Sequence, residues 1–163
     1  MLYKAHLLSY IEYRTPAIYH ALRKELQKVD AIQDRFLREA GVSTLEALMH
    51  FNLAPLSMRR DIAMLGMLHR AKLGIGPPQL CTLFKKMPGG FMLKDPYLNF
   101  ARSPLVRRSV WGLIPVYNRL GSAALSIETV KDFQSYLQRR VNQLIEHGHG
   151  DGLETLSLHT LKI

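Results

Sequence analysis

Residues 22–39 read Leu22-Arg23-Lys24-Glu25-Leu26-Gln27-Lys28-Val29-Asp30-Ala31-Ile32-Gln33-Asp34-Arg35-Phe36-Leu37-Arg38-Glu39. Leu22, Leu26, Val29, Ile32 and Phe36 recur at intervals of four, three, three and four, with Leu37 beside the last. That spacing predicts an α-helix with one apolar face, because a half-buried strand alternates every second residue. Gly41 follows as a C-terminal cap, the position where a left-handed backbone commonly ends a helix. Ser43 with Glu46 three residues on forms a capping box that opens a second, shorter helix to about Phe51.

The pattern extends both ways. Tyr3 to Ser9 reads as helix, interrupted near Pro16, which cannot donate to the preceding turn. Pro55 is placed in the first turn of a helix to about Leu73, with Leu56, Ile62, Leu65 and Leu68 inward and Met58, Met64 and Met67 as adaptable filler. Gly74 to Pro78 is a break, and a short helix to Phe84 follows. Residues 85–103 carry Met-Pro-Gly-Gly and Asp-Pro and read as a long irregular loop. From Pro104 to Leu120 the signals are mixed: Trp111, Ile114 and Tyr117 share a helical face, while Gly112 and Pro115 weaken it. Ser126 is read as the cap of a last helix that turns Val130, Phe133, Leu137, Val141, Leu144 and Ile145 inward and stops at Gly148. The expected architecture is all-α: a compact bundle of about five to seven helices with the loop near residues 85–103. It comprises a helical domain over 1–147 and a flexible tail over 148–163, where Leu156 and Leu158 leave a short strand open.

The chain has 163 residues, 47% of them hydrophobic, enough for one domain with its own core. It carries 22 basic and 13 acidic side chains, a net charge of +9. Such an excess favours phosphate backbones, anionic membrane surfaces or acidic proteins. The excess is uneven, with net +1 over residues 1–54, +5 over 55–100, +4 over 101–147 and −1 beyond. A polyanion is therefore expected to dock from Arg59 onward. Cys81 is the single cysteine, which excludes an internal disulfide and a cysteine-based zinc knuckle and suits a reducing, intracellular setting, nuclear or cytoplasmic. No run approaches the roughly 18 apolar residues of a membrane span, and Lys4, His6 and Glu12 break the pattern of a secretory leader.

Catalytic chemistry finds no obvious constellation. The six aspartates, Asp30, Asp34, Asp61, Asp95, Asp132 and Asp151, include no adjacent pair of the kind that holds two metal ions. Asp30 and Asp34 lie one helical turn apart, but beside Lys28, Arg35 and Arg38 they read first as a solvated, salt-bridged face. His147-Gly148-His149-Gly150-Asp151 is compatible with a metal pinch or with a glycine-rich helix end. Cys81 reads as a small buried thiol rather than a nucleophile served by His69. Gly74-Ile75-Gly76-Pro77-Pro78 lacks the lysine and hydroxyl of a phosphate loop. No metal, cofactor or catalytic residue is expected.

What is left is a set of basic doublets: Arg23-Lys24, Arg59-Arg60, Lys85-Lys86, Arg107-Arg108 and Arg139-Arg140. Phe84, Phe91, Tyr97, Phe100 and Trp111 lie near several of them. Charge with stacking platforms is how single strands are gripped without sequence preference; the plainer alternative is solvated helix ends and core aromatics.

Several segments are similar to the region that follows the palm in reverse transcriptases of non-LTR (LINE-type) retrotransposons. Ile11-Glu12-Tyr13-Arg14-Thr15-Pro16-Ala17 resembles the first signature of that region, and Leu26 to Arg38 the helix after it. Pro55-Leu56-Ser57-Met58-Arg59-Arg60-Asp61-Ile62 through Leu68-His69-Arg70 resembles the next helix, and Gly76 to Leu80 with Leu83-Phe84 the segment beyond. Arg107 to Leu120 and Ser126 to Leu137 follow the family loosely, with Trp111 displaced and no Leu-Pro after Asn118. The palm aspartates and the closing cysteine-histidine knuckle do not occur in this chain.

The resemblance, over most of residues 3–140, implies a thumb and helical connector, as a fragment or a stand-alone descendant, without polymerase activity of its own. It implies RNA or RNA–DNA duplex as partner, held through backbone phosphates by basic side chains on helices. Arg59, Arg60, Arg70 and Lys72 are the expected leading contacts, with Lys85, Lys86, Arg107 and Arg108 assisting and Asp61 orienting or neutralising the arginine pair. The alternative is a structural subunit whose apolar surface meets protein partners in a larger protein or ribonucleoprotein assembly.

Overall fold

Gly41 and Gly74 terminate the two long helices of the first half in the same way. Both adopt the left-handed conformation, with φ of 67° and 74°. The amide after each donates back to the last turn, Val42 N–H to Leu37 O at 3.0 Å and Ile75 N–H to Arg70 O at 3.1 Å. These bonds satisfy carbonyls that the helix leaves without partners, and glycine allows the geometry without a Cβ penalty.

The computed structural model describes residues 3–76, 78–90, 92–96 and 103–146. The chain begins with a π-helical turn, Tyr3–Leu8, running into α1 (Ser9–Tyr13) and α2 (Thr15–Ile18). Next come α3 (Arg23–Ala40), α4 (Thr44–Phe51), α5 (Leu56–Leu73) and α6 (Pro78–Leu83). After the segment around residues 85–96 follow α7 (Pro104–Arg107), a 3-10 turn (Val110–Leu113), α8 (Ile114–Arg119), α9 (Ser122–Leu125) and α10 (Val130–Glu146). The described residues are all-α, with an isolated antiparallel bridge between Lys86 and Leu93 as an exception to the helical pattern. None of the described helices is long and apolar enough to cross a membrane.

The axis of the fold is α5. Its apolar residues run all round, which is the signature of a helix buried on every side. Helix α10 lies along it, and α1, α2, α3, α6, α8 and the 3-10 turn pack around the rest. Leu65, Leu68, Phe133, Leu137 and Val141 are fully buried between α5, α10 and their neighbours, and each contributes about 1.5–3 kcal/mol. A second, smaller cluster joins Tyr3, Leu8 and Ile11 to Leu37, Ala47, Leu53 and Leu56. Within it Tyr3 stacks on Phe36 with ring centroids 4.2 Å apart.

Three local expectations are corrected. Leu22 and Ile32 are exposed, while Gln33 is buried. The inward face of α3 runs through Leu26, Asp30, Gln33 and Leu37, so two polar residues share the core stripe. Gln33 donates to Ala54 O at 3.0 Å and accepts from Tyr3 Oη at 3.2 Å, which makes its burial tolerable. Pro55 stands one residue before α5, in extended backbone, and not in its first turn. The cap of α10 is Thr129, not Ser126: Thr129 Oγ1 accepts from Asp132 N–H at 3.0 Å and donates to the Asp132 carboxylate at 2.6 Å. Ser126 instead closes α9.

The segment that begins at residue 85 is irregular, as expected, apart from the isolated Lys86–Leu93 bridge. Asn118 holds it as a strand partner would: Leu93 N–H donates to Oδ1 at 3.0 Å, and Nδ2 donates to Leu93 O at 2.8 Å. The Leu93 side chain is fully buried below. Residues 97–102 and the tail, including the His147 to Asp151 run, Gly148, Leu156 and Leu158, lie outside the described residues.

Candidate nucleic-acid interface

The structure divides the eight expected contact residues into two groups. Arg60 is buried and forms a bidentate pair with Asp30, Nη1 to Oδ1 at 2.6 Å and Nη2 to Oδ2 at 3.0 Å. Lys72 is buried and donates from Nζ to Leu125 O at 2.8 Å. Burial is also the main reason its ammonium titrates below the usual lysine range, with Lys86 adding repulsion. Neither group is presented to a phosphate, so the expectation that Arg60 and Lys72 lead such contacts is corrected. The Asp61 carboxylate accepts from Tyr19 Oη at 2.6 Å. Burial, followed by the charge of Asp61, pushes the Tyr19 phenol well up.

Arg70, Lys85, Lys86 and Arg107 are exposed, and Arg108 is half-buried. Arg59 is mostly covered, paired with Glu12, and its Nη1 donates to Asn52 O at 3.3 Å. Of the aromatic residues read as stacking platforms, Phe84 is buried and Trp111 half-buried. Phe91, Tyr97 and Phe100 lie outside the described residues.

His69 belongs to the scaffold. Its Nε2 lies 2.8 Å from Ile127 O, which only accepts, so Nε2 carries the proton and Nδ1 accepts from Tyr117 Oη at 2.8 Å. The ring stacks on Phe133 at 4.0 Å. Burial is the main cause of a His69 pKa below the ordinary value, and the nearby Lys72 adds to it. Cys81 is half-buried. Among the described residues no group of three or more His, Cys, Asp or Glu side chains is placed to hold a metal ion.

The feature that sequence reasoning missed is a cleft of about 550 Å³ beside the N-terminal half of α5 and along α10. Arg59, Lys131 and Arg139 supply three positive charges against the one carboxylate of Glu12. Asn52, Gln134, Gln138 and Asn142 line it with amides, over a floor of Ile62 and Ala63. On α10, Lys131, Ser135 and Arg139 repeat every fourth residue, as do Gln134, Gln138 and Asn142. Each repeat advances about 6 Å along the helix, so two parallel rows of donors face the cleft. Lys131 and Arg139 are exposed and have no carboxylate partner among the described residues.

Ion pairs formed by Glu12, Glu25, Asp30 and Glu39 hold arginine and lysine side chains of the first sixty residues. Two of these pairs lie within α3 and two reach Arg59 and Arg60 of α5, whereas Lys131 and Arg139 of α10 are exposed. No family model matches the chain, and neither a curated protein nor a solved structure matches it.

Proposed function

We propose that the chain is a non-catalytic, thumb-like helical module that binds RNA or an RNA–DNA duplex through phosphate contacts. The observation that carries this reading is the α5–α10 cleft, where exposed Lys131 and Arg139 stand among neutral amides beside the Arg59–Glu12 pair. Cations supply sequence-independent attraction to the backbone, and amides fix register by hydrogen bonds to phosphate and sugar. Arg70, Lys85, Lys86 and Arg107 extend the basic surface, while Arg60 and Lys72 act through the scaffold. The reverse-transcriptase resemblance agrees in kind, since a thumb grips a duplex by its backbone and leaves chemistry to another domain.

The test is filter binding of an RNA–DNA hybrid and of duplex RNA to the full chain in a salt series. Binding that neutralises several phosphates weakens by orders of magnitude between about 50 and 200 mM salt. Affinity unchanged across that series removes the phosphate-contact reading.

A further inference from the structure

The two rows that α10 turns toward the cleft differ in what they can bond. Lys131 and Arg139 are exposed cations, with the exposed hydroxyl of Ser135 between them. Gln134, Gln138 and Asn142 form the inner row, half-buried beside Ile62 and Ala63 of α5. An ammonium or guanidinium only donates, whereas an amide both donates and accepts. The inner row is therefore matched to hydroxyl groups, which also do both, and the outer row to phosphates.

The amides are held in place. Gln134 lies across Gly66 of α5, where a Cβ would stand 2.4 Å from its Nε2. Gln138 Nε2 donates to Asn142 Oδ1 at 3.0 Å, which leaves the Gln138 carbonyl oxygen and the Asn142 amino group for a ligand. Glu12, which also lines the cleft, is paired with Arg59, so its charge is matched within the protein. The apolar floor limits the water that can serve these amides. A site of this kind discriminates strongly against a ligand that lacks the hydroxyl it is built to bond.

Along an A-form strand the phosphates and the 2′-hydroxyls form two parallel tracks, with the hydroxyls displayed at the wide, shallow minor groove. The rows of α10 have the same arrangement, with a repeat of about 6 Å, roughly the step between successive nucleotides. We infer that the cleft recognises ribose: Lys131, Ser135 and Arg139 take successive phosphates of one strand, and Gln134, Gln138 and Asn142 bond its 2′-hydroxyls. The inference rests on the phosphate-contact reading and deepens it, because it makes the inner row the determinant of RNA over DNA.

The full chain is tested by filter binding on a duplex RNA and on the same duplex with 2′-fluorine in place of every 2′-hydroxyl. Fluorine keeps the A-form and the charge but cannot donate, so the pair separates hydroxyl contact from helix shape. The fluorinated duplex should bind at least about fivefold more weakly, since each neutral hydrogen bond lost costs roughly three- to tenfold. Gln134→Met and Gln138→Met remove an amide at similar volume. Each should narrow the ratio between the duplexes by about threefold, with affinity for the fluorinated duplex and the salt slope unchanged. Lys131→Ala, by contrast, should weaken both duplexes alike. Equal affinity for the two duplexes, or an unchanged ratio in both glutamine variants, overturns the ribose reading. Equal affinity with a steep salt dependence leaves the phosphate contacts standing, while failure of both duplexes to bind at low salt removes those contacts as well.

Discussion

Asp30 and Arg60 are joined across α3 and α5 by two parallel hydrogen bonds of 2.6 and 3.0 Å, with the Arg60 side chain only 4% exposed. The pair anchors the near-neutral first third of the chain to the central helix. Removing Asp30 leaves a buried cation without its counter-charge, whereas removing Arg60 leaves a carboxylate that water still reaches. Asp30→Ala should therefore cost about 2–4 kcal/mol, and Arg60→Met distinctly less. Urea unfolding of both variants checks the order, and equal costs contradict it.

Thr129 caps α10 through reciprocal bonds with Asp132. Thr129→Ala should destabilise by about 1 kcal/mol, and Ser126→Ala by less than about 0.5 kcal/mol. Thermal melts of the two variants distinguish the cap from the residue that only closes α9.

Asn118 stands in for a strand against Leu93. Asn118→Ala should cost about 1–3 kcal/mol, because two buried backbone groups lose their partner. Amide hydrogen exchange should quicken at Leu93 and Lys94 before it does in α5. Uniform quickening would mean that this segment has no separate anchor.

His69 gives a pH dependence with a definite sign. Burial lowers its pKa in the fold, so between that value and about 6.5 the unfolded chain binds more protons. The stability from neutral His69 is fully present above about pH 6.5 and is lost as pH falls toward the folded value. His69→Gln should flatten this acid limb in denaturant midpoints taken from pH 7.5 to 5, at a cost in overall stability. A limb of unchanged steepness assigns the effect to other groups.

Much of the helical scaffold was legible in the sequence because it rests on local rules. The capping box at Ser43 and Glu46, the glycine stops at 41 and 74, and the Phe133–Leu137–Val141 face follow from spacing alone. The phase of α3 was not legible. Asp30 and Gln33 occupy its core stripe through partners about 20 to 30 residues away, and hydropathy rotates the stripe toward Leu22 and Ile32. The anchoring of Leu93 within the expected loop was hidden for a similar reason, since its partner is the Asn118 side-chain amide. Charge placed the basic surplus after Arg59 but did not separate Arg60 and Lys72, which are structural, from their neighbours. The cleft joins Arg59 to residues more than seventy positions away, and the polar rows of α10 read in isolation as any solvated face.

Gly66 and Gln134 set how closely α5 and α10 approach at that cleft. A Cβ on Gly66 would lie 2.4 Å from Gln134 Nε2, so Gly66→Ala must displace a cleft amide. Because alanine returns up to about 1 kcal/mol of helix propensity, stability should change little while hybrid binding weakens. Unchanged affinity by filter binding would detach Gln134 from the interface.

The central claim is that the cationic row of α10 contacts phosphates, and the salt dependence of RNA–DNA hybrid binding tests it most directly. For the parent chain, the logarithm of affinity should fall linearly with the logarithm of salt concentration. Lys131→Ala and Arg139→Ala should each reduce that slope by about one, since each removes one phosphate contact. Slopes and affinities indistinguishable from the parent in both variants would contradict the account.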